Sequence, residues 1–139
     1  MRIRRLIIIG AIIALLFVGG SICMGKLDFS SARTDTPVNT ASAAIMAMEK
    51  KEAAKVTQYF TPTPGAAMAN RLNILFAKCE TIDIANLSVM LVLEEGVAAR
   101  VQASYDIIWT QGGYVNTQHE ARLIKLVKYE KRWWINEAF

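Results

Sequence analysis

The chain reads as an α+β protein: an N-terminal membrane-spanning helix, then two or three helices packed on a bent four-stranded antiparallel sheet. Three observations predict this. Leu6–Gly25 is twenty residues without a charge, preceded by Arg2, Arg4 and Arg5. From about Ala43 to Lys78 the apolar residues recur at helical spacing. From Thr81 onward the period changes to two. It is clearest at Ala99–Trp109, where Ala99, Val101, Ala103, Tyr105, Ile107 and Trp109 alternate with mostly polar neighbours. Helices followed by strands argue for a helical layer on one face of an antiparallel sheet.

At 1.5 Å per residue the uncharged run spans roughly 30 Å, the thickness of a bilayer's hydrocarbon core. Arginines beside such a run stay in the cytoplasm, so the rest of the chain is expected outside the membrane. Residues 1–25 therefore read as a basic start and uncleaved signal anchor, and residues 26–37 as a polar linker. The alternative is a secretory signal cleaved after Ala32 and a secreted domain. Those first 25 residues hold three of the 16 basic residues and none of the 12 acidic ones. The remainder carries 13 basic against 12 acidic, a net charge of +1. The basic character is thus a topology signal, and nucleic-acid binding is not expected.

The domain, residues 38–139, opens with a helix capped by Asn39, Thr40 or Ser42. The stretch reads as one long helix, or two with a break near Lys50–Lys51, ending before Pro62, and the lysine pair as a solvated turn or helix face. Thr61–Gly65 (TPTPG) reads as a turn, and a second helix runs from Ala66 to Lys78. In the first strand Ile82 and Ile84 share one parity, while Leu87, Val89, Leu91 and Leu93 share the other. A β-bulge near Ala85–Asn86 reconciles them and bends the strand. Glu94–Gly96 and Gln111–Tyr114 are hairpin connections, with glycines suited to positive φ. The third strand covers Val115–Tyr129, Glu130–Arg132 turns the chain, and Trp133–Ala138 closes the sheet.

The helix order, the phrase CETIDIANLSVMLVLEEGVAARVQASYDI and the ending LIKLVKYEKRWWINEAF resemble the nuclear transport factor two-like superfamily, also called ketosteroid-isomerase-like or cystatin-like. The likeness covers about residues 38–139 and includes the closing Trp133-Trp134-Ile135. The usual turn glycine is replaced by Glu130-Lys131-Arg132. The resemblance implies a cone: a helical layer in the hollow of a bent sheet. It also implies single-span relatives in bacterial secretion and conjugation machines. The fold hosts isomerases, dehydratases, transport factors and assembly subunits, so it leaves function open.

The isomerase branch places a carboxylate base, a tyrosine and a protonated acid inside the cone. The residues available here are Tyr105, Trp109, His119, Asp83, Asp106 and Glu120, with Asp106 and Glu120 expected on the outward phase. The only histidine, His119, would supply a dehydratase-like dyad with Asp83 or another acid. A ligand pocket would be lined by Tyr105, Trp109 and His119. No phosphate-binding loop, paired-carboxylate motif or Ser-His-Asp motif is evident. No catalytic residue, metal site or cofactor is therefore expected. Cys23 and Cys79 fall in different parts of the chain, excluding a disulfide within the domain.

On the outer sheet face, Ile108 and Trp134 are expected to form an apolar patch for a homodimer or a membrane-complex partner. The expected function is a membrane-anchored, extracytoplasmic binding or assembly module without catalysis. A small-ligand binder or isomerase/dehydratase-like enzyme using the cone interior is the alternative. A cone filled by Met46, Phe60, Phe76 and Trp133 would exclude that alternative.

Overall fold

The computed structural model describes residues 36–139. The expected membrane anchor at 6–25 and nearly all of the linker lie outside them. Among the described residues no helix is long and apolar enough to cross a membrane.

Helix α1 spans Pro37–Ala47 and begins earlier than the cap residues suggested. Thr36 is the N-cap, its Oγ1 accepting from the Asn39 amide at 3.0 Å. Pro37, expected at the end of the linker, is the first helical residue, where its missing N–H costs nothing. A 3-10 turn at Met48–Lys50 follows, and Lys51 stands at φ +54, so the expected break is where the chain leaves the helix. Lys51 is less solvated than expected. Its ammonium donates to the carbonyls of Cys79 and Glu80, just beyond the end of the second long helix. A cation suits the negative end of a helix.

Helix α2 is a short segment, Ala53–Thr57. Helix α3 spans Pro62–Lys78, so the proline-rich stretch read as a turn is its first turn. Pro62 and Pro64 occupy positions whose amides have no intrahelical acceptor in any helix. The first helical bond is Gly65 N–H to the Thr61 carbonyl, at 2.8 Å. Gly65 also permits close approach, since a methyl group there would meet Phe60 Cβ at 3.3 Å.

Strands β1 (Thr81–Glu95), β2 (Ala98–Gln111), β3 (Tyr114–Tyr129) and β4 (Arg132–Ile135) form one sheet in sequence order, all antiparallel. Ala85 faces Asp106 and Ser88 faces Ser104, which leaves Asn86 and Leu87 opposite Tyr105 alone. Asn86 takes φ +53, a conformation that asparagine tolerates. This is the expected bulge. Glu49 Oε1 accepts from the Ile84 amide at 2.9 Å beside it. A second register shift between Leu91 and Leu93 turns Leu93 away from the phase of Leu91, correcting the single phase expected there.

The β2–β3 connection is the two-residue turn Gly112–Gly113, both at positive φ. The β3–β4 turn uses Glu130 and Lys131, at φ +50 and +63. Strand β4 is shorter than expected, but it is paired on both sides. Ile135 N–H donates to the Tyr59 carbonyl at 2.8 Å, and Thr61 N–H donates to the Ile135 carbonyl at 2.9 Å. The parallel bridge Phe60–Ile135 thus joins the residues before α3 to the sheet.

Ala99, Val101, Ala103 and Tyr105 are buried on the helix-facing side, with Ile124 and Leu126 beside them from β3. Against them pack Ile45, Met48, Phe60, Met68, Leu72 and Phe76. The alternation read in β2 is therefore the division between core and solvent.

Candidate binding site

The inner face of the sheet is filled at the β4 end and open farther along β2 and β3. Trp133, Ile135, Ile124 and Leu126 pack against the helices with little exposure. Beyond Tyr105 a cavity of about 120 Å³ remains between α3 and the sheet. Met68 and Leu72 of α3, Met48 before it and Ile107 of β2 supply its apolar wall. Tyr105, Glu120, Arg122 and Arg71 supply its polar groups.

Register explains why the polar groups meet. Tyr105 and Glu120 are direct partners across β2 and β3, so both side chains project from the same face. Glu120 is therefore on the inner side, correcting its expected outward phase. Its side chain is 13% exposed. Arg122, two residues along the same face, donates to Glu120 Oε2 through Nε at 2.9 Å and Nη2 at 2.8 Å. Gln118 Nε2 donates to the other oxygen, so both carboxylate oxygens are engaged.

Tyr105 is 2% exposed. Burial, reinforced by the negative charge of Glu120 and opposed by Arg122, pushes its phenol up to about 12. It is a neutral hydroxyl at physiological pH. Among the described residues its oxygen has no hydrogen-bond partner. The hydroxyl is not sealed from solvent, and an acceptor entering the cavity would replace its water with a direct hydrogen bond.

The other expected site residues do not join this group. Trp109 is on the inner face, between Ile82 and Asn116, half-buried against the core. It is four residues along β2 from Tyr105, roughly 13 Å away at strand spacing. His119 pairs with Asp106 on the outer face and its side chain is 64% exposed, so it cannot line the same pocket as Tyr105. Its acid partner is Asp106, with Nδ1 and Oδ1 2.7 Å apart. Asp83 lies beside Ile108 instead.

Ile108 and Trp134 both belong to the outer face, but they lie at opposite ends of it. Ile108 faces Thr117, while Trp134 pairs with Val127, itself opposite Ala98. Ten residues of β2 separate the two rows, roughly 30 Å along the strand. They do not form one patch. Both are half-buried, and Trp134 Nε1 donates to the Tyr129 carbonyl at 3.3 Å. Among the described residues no cluster of three or more His, Cys, Asp or Glu side chains could hold a metal ion.

The sequence reading missed Arg71, Arg122 and the inward turn of Glu120. The signal was present for Glu120: a two-residue turn at Gly112–Gly113 pairs odd residues of β2 with even residues of β3.

Solved structures share this arrangement. A candidate aromatic ring hydroxylase from Novosphingobium aromaticivorans matches with a TM-score of 0.59 at 16% identity, covering 73% of this chain and 84% of the other. A candidate dehydratase of the NTF2-like (nuclear transport factor two-like) family from Streptomyces avermitilis matches at 0.56 and 12% identity, over 72% and 92%. The fold is NTF2-like. A candidate calcium/calmodulin-dependent protein kinase II association domain from Xanthomonas campestris matches at 0.54 and 15% identity, over 70% and 79%. No family model matches the chain, and no curated protein matches it. At these identities the likeness establishes the fold alone, and the neighbours differ in what they are named for.

Proposed function

We propose that this chain is a membrane-tethered, extracytoplasmic binding module whose inner cavity holds one end of a small molecule without transforming it. The observation that carries the reading is the Tyr105 hydroxyl, without a hydrogen-bond partner among the described residues, facing a partly apolar cavity. A protonated phenol donates a hydrogen bond, while Arg71 and Arg122 add positive charge. The fitting occupant has a carbonyl or carboxylate oxygen and a short apolar tail. The cavity is smaller than the roughly 300–1,000 Å³ of drug-sized sites, so only one end of a larger ligand would enter. Catalysis is not supported there because Glu120, the nearest carboxylate, has both oxygens occupied. The tether rests on the Leu6–Gly25 run and its flanking arginines.

Short monocarboxylates from butyrate to octanoate, added to the purified chain, should raise its thermal midpoint. Tyr105→Phe keeps the ring and removes the donor. It should weaken binding about tenfold, the scale of one hydrogen bond. Absence of any shift across the series would remove the ligand reading.

A partner-binding reading is favoured by a different observation. Met90, Leu91, Val92 and Leu93 are all exposed on β1, an edge strand of the sheet. Exposed apolar edges invite pairing with another chain. Val92→Lys should then abolish co-purifying partners while leaving the monocarboxylate response intact.

A further inference from the structure

The outer face of the sheet brings together three residues that the sequence scatters. Ser104 and Asp106 are two apart on β2 and therefore share a face. His119 of β3 stands opposite Asp106, and its ring reaches diagonally to Ser104. Asp106 Oδ1 and His119 Nδ1 are 2.7 Å apart, and His119 Nε2 and Ser104 Oγ are 3.4 Å apart. Ala121, directly opposite Ser104, has only a methyl group, which leaves the ring room to lean across.

This is the connectivity of a Ser-His-Asp relay. A carboxylate on Nδ1 fixes the tautomer that leaves Nε2 as the acceptor for a serine proton. Asp106 is itself held: Asn86 Nδ2 donates to Oδ2 at 2.8 Å. Asn86 is the positive-φ residue of the bulge, so the irregularity in β1 is coupled to the carboxylate's orientation. The Ser104–His119 distance is long for a hydrogen bond, as such contacts often are before substrate arrives.

The surroundings suit an acyl group. Ser88 of β1 is the direct partner of Ser104, so the two β-carbons lie roughly 4.5–5.5 Å apart. Its hydroxyl is a side-chain donor on the neighbouring strand, available to a developing oxyanion. One row along the same face, Met90 and Leu123 flank Gln102. Met90 is 62% exposed and Leu123 45%. An acyl chain attached at Ser104 would lie over them.

The geometry points to a second site, on the opposite face from the cavity, at which Ser104 accepts an acyl group from a carboxylic ester. The Oγ oxygen attacks the ester carbonyl carbon and its proton passes to His119 Nε2. The new Oγ–C bond forms, the carbonyl carbon–alkoxy oxygen bond breaks, and His119 returns the proton to the departing alcohol. Water then attacks the seryl ester, assisted by the same imidazole, and releases the carboxylic acid with Ser104 restored. Ser104 and His119 are the catalytic residues; Asp106 and Asn86 are positioning residues.

The test uses the full chain and p-nitrophenyl butyrate. Nitrophenolate release is followed by absorbance, and the acyl adduct is located by intact-mass and peptide measurements. A butyryl group is expected on Ser104 and absent from Ser104→Ala. His119→Gln should slow acylation about a hundredfold, the scale of a lost general base. Asp106→Asn should lower the rate at saturating ester and leave the half-saturating concentration unchanged, which a distorted sheet would not do. Circular dichroism confirms that each variant is folded. A folded wild-type chain that takes no butyryl group and releases nitrophenolate no faster than Ser104→Ala would overturn the proposal. So would equal labelling of Ser104→Ala, or a wild-type rate in folded His119→Gln.

Discussion

Tyr105 ties burial, charge and ligand chemistry into one residue. Its phenol holds its proton to about 12 when folded and loses it near 10 when unfolded. Between those values the native state binds more protons, so stability falls as pH rises through that window. The loss should reach roughly 2–3 kcal/mol. Alkaline melts of wild type and Tyr105→Phe should diverge above pH 10, and the absorbance step near 12 should vanish in the variant. Asp106 acts in the opposite direction. Hydrogen bonds from Asn86 and then His119 hold its carboxyl below its ordinary 3.8. Its contribution is present above that value and lost as pH falls below it, a decline that Asp106→Asn should flatten. Strand phase gives a third check at this scale. Val101 is fully buried and Gln102 half-exposed. Val101→Asp places an unpaired carboxylate in the core, at a cost of several kcal/mol, and should unfold the domain. Gln102→Asp should melt near the wild-type temperature.

At the scale of elements, the chain builds its turns with unequal economy. Gly112 and Gly113 take positive φ freely, whereas Glu130 and Lys131 do so against their β-carbons, at roughly 1 kcal/mol or more each. Replacing Glu130-Lys131 by Asn-Gly should raise the thermal midpoint by several degrees without altering the strands. The elements also show what could be read beforehand. The helix break at Lys51, the bulge at Asn86 and the alternation of β2 were legible because each follows from short-range sterics or period. The α3 start departs from the expected turn because its prolines fill first-turn positions, where no amide is needed, and so begin the helix. Glu120 faces inward, against expectation, because a two-residue turn reverses parity between β2 and β3. The Ser104–His119 contact was beyond reach for another reason. It is diagonal between strands and depends on the small Ala121, not on any spacing along the chain.

For the molecule as a whole, the described domain joins residues distant in sequence at one seam. Phe60 and Ile135 are bridged, Thr61 Oγ1 donates to Asn136 Oδ1 at 2.8 Å, and the rings of Phe60 and Phe139 lie 5.6 Å apart. The helical layer therefore cannot be completed by its own residues. During synthesis the apolar faces of α1 and α3 emerge before the strands that cover them, and the seam at Phe60 stays unpaired until residue 135 has left the ribosome. Closing so long a loop is slow compared with forming the hairpins, whose contacts are local. The nascent chain thus passes through an interval in which its greasiest surfaces are bare. Any chaperone that attends this protein has its longest opportunity there, before the last four-residue strand slides between β3 and the Tyr59–Thr61 segment.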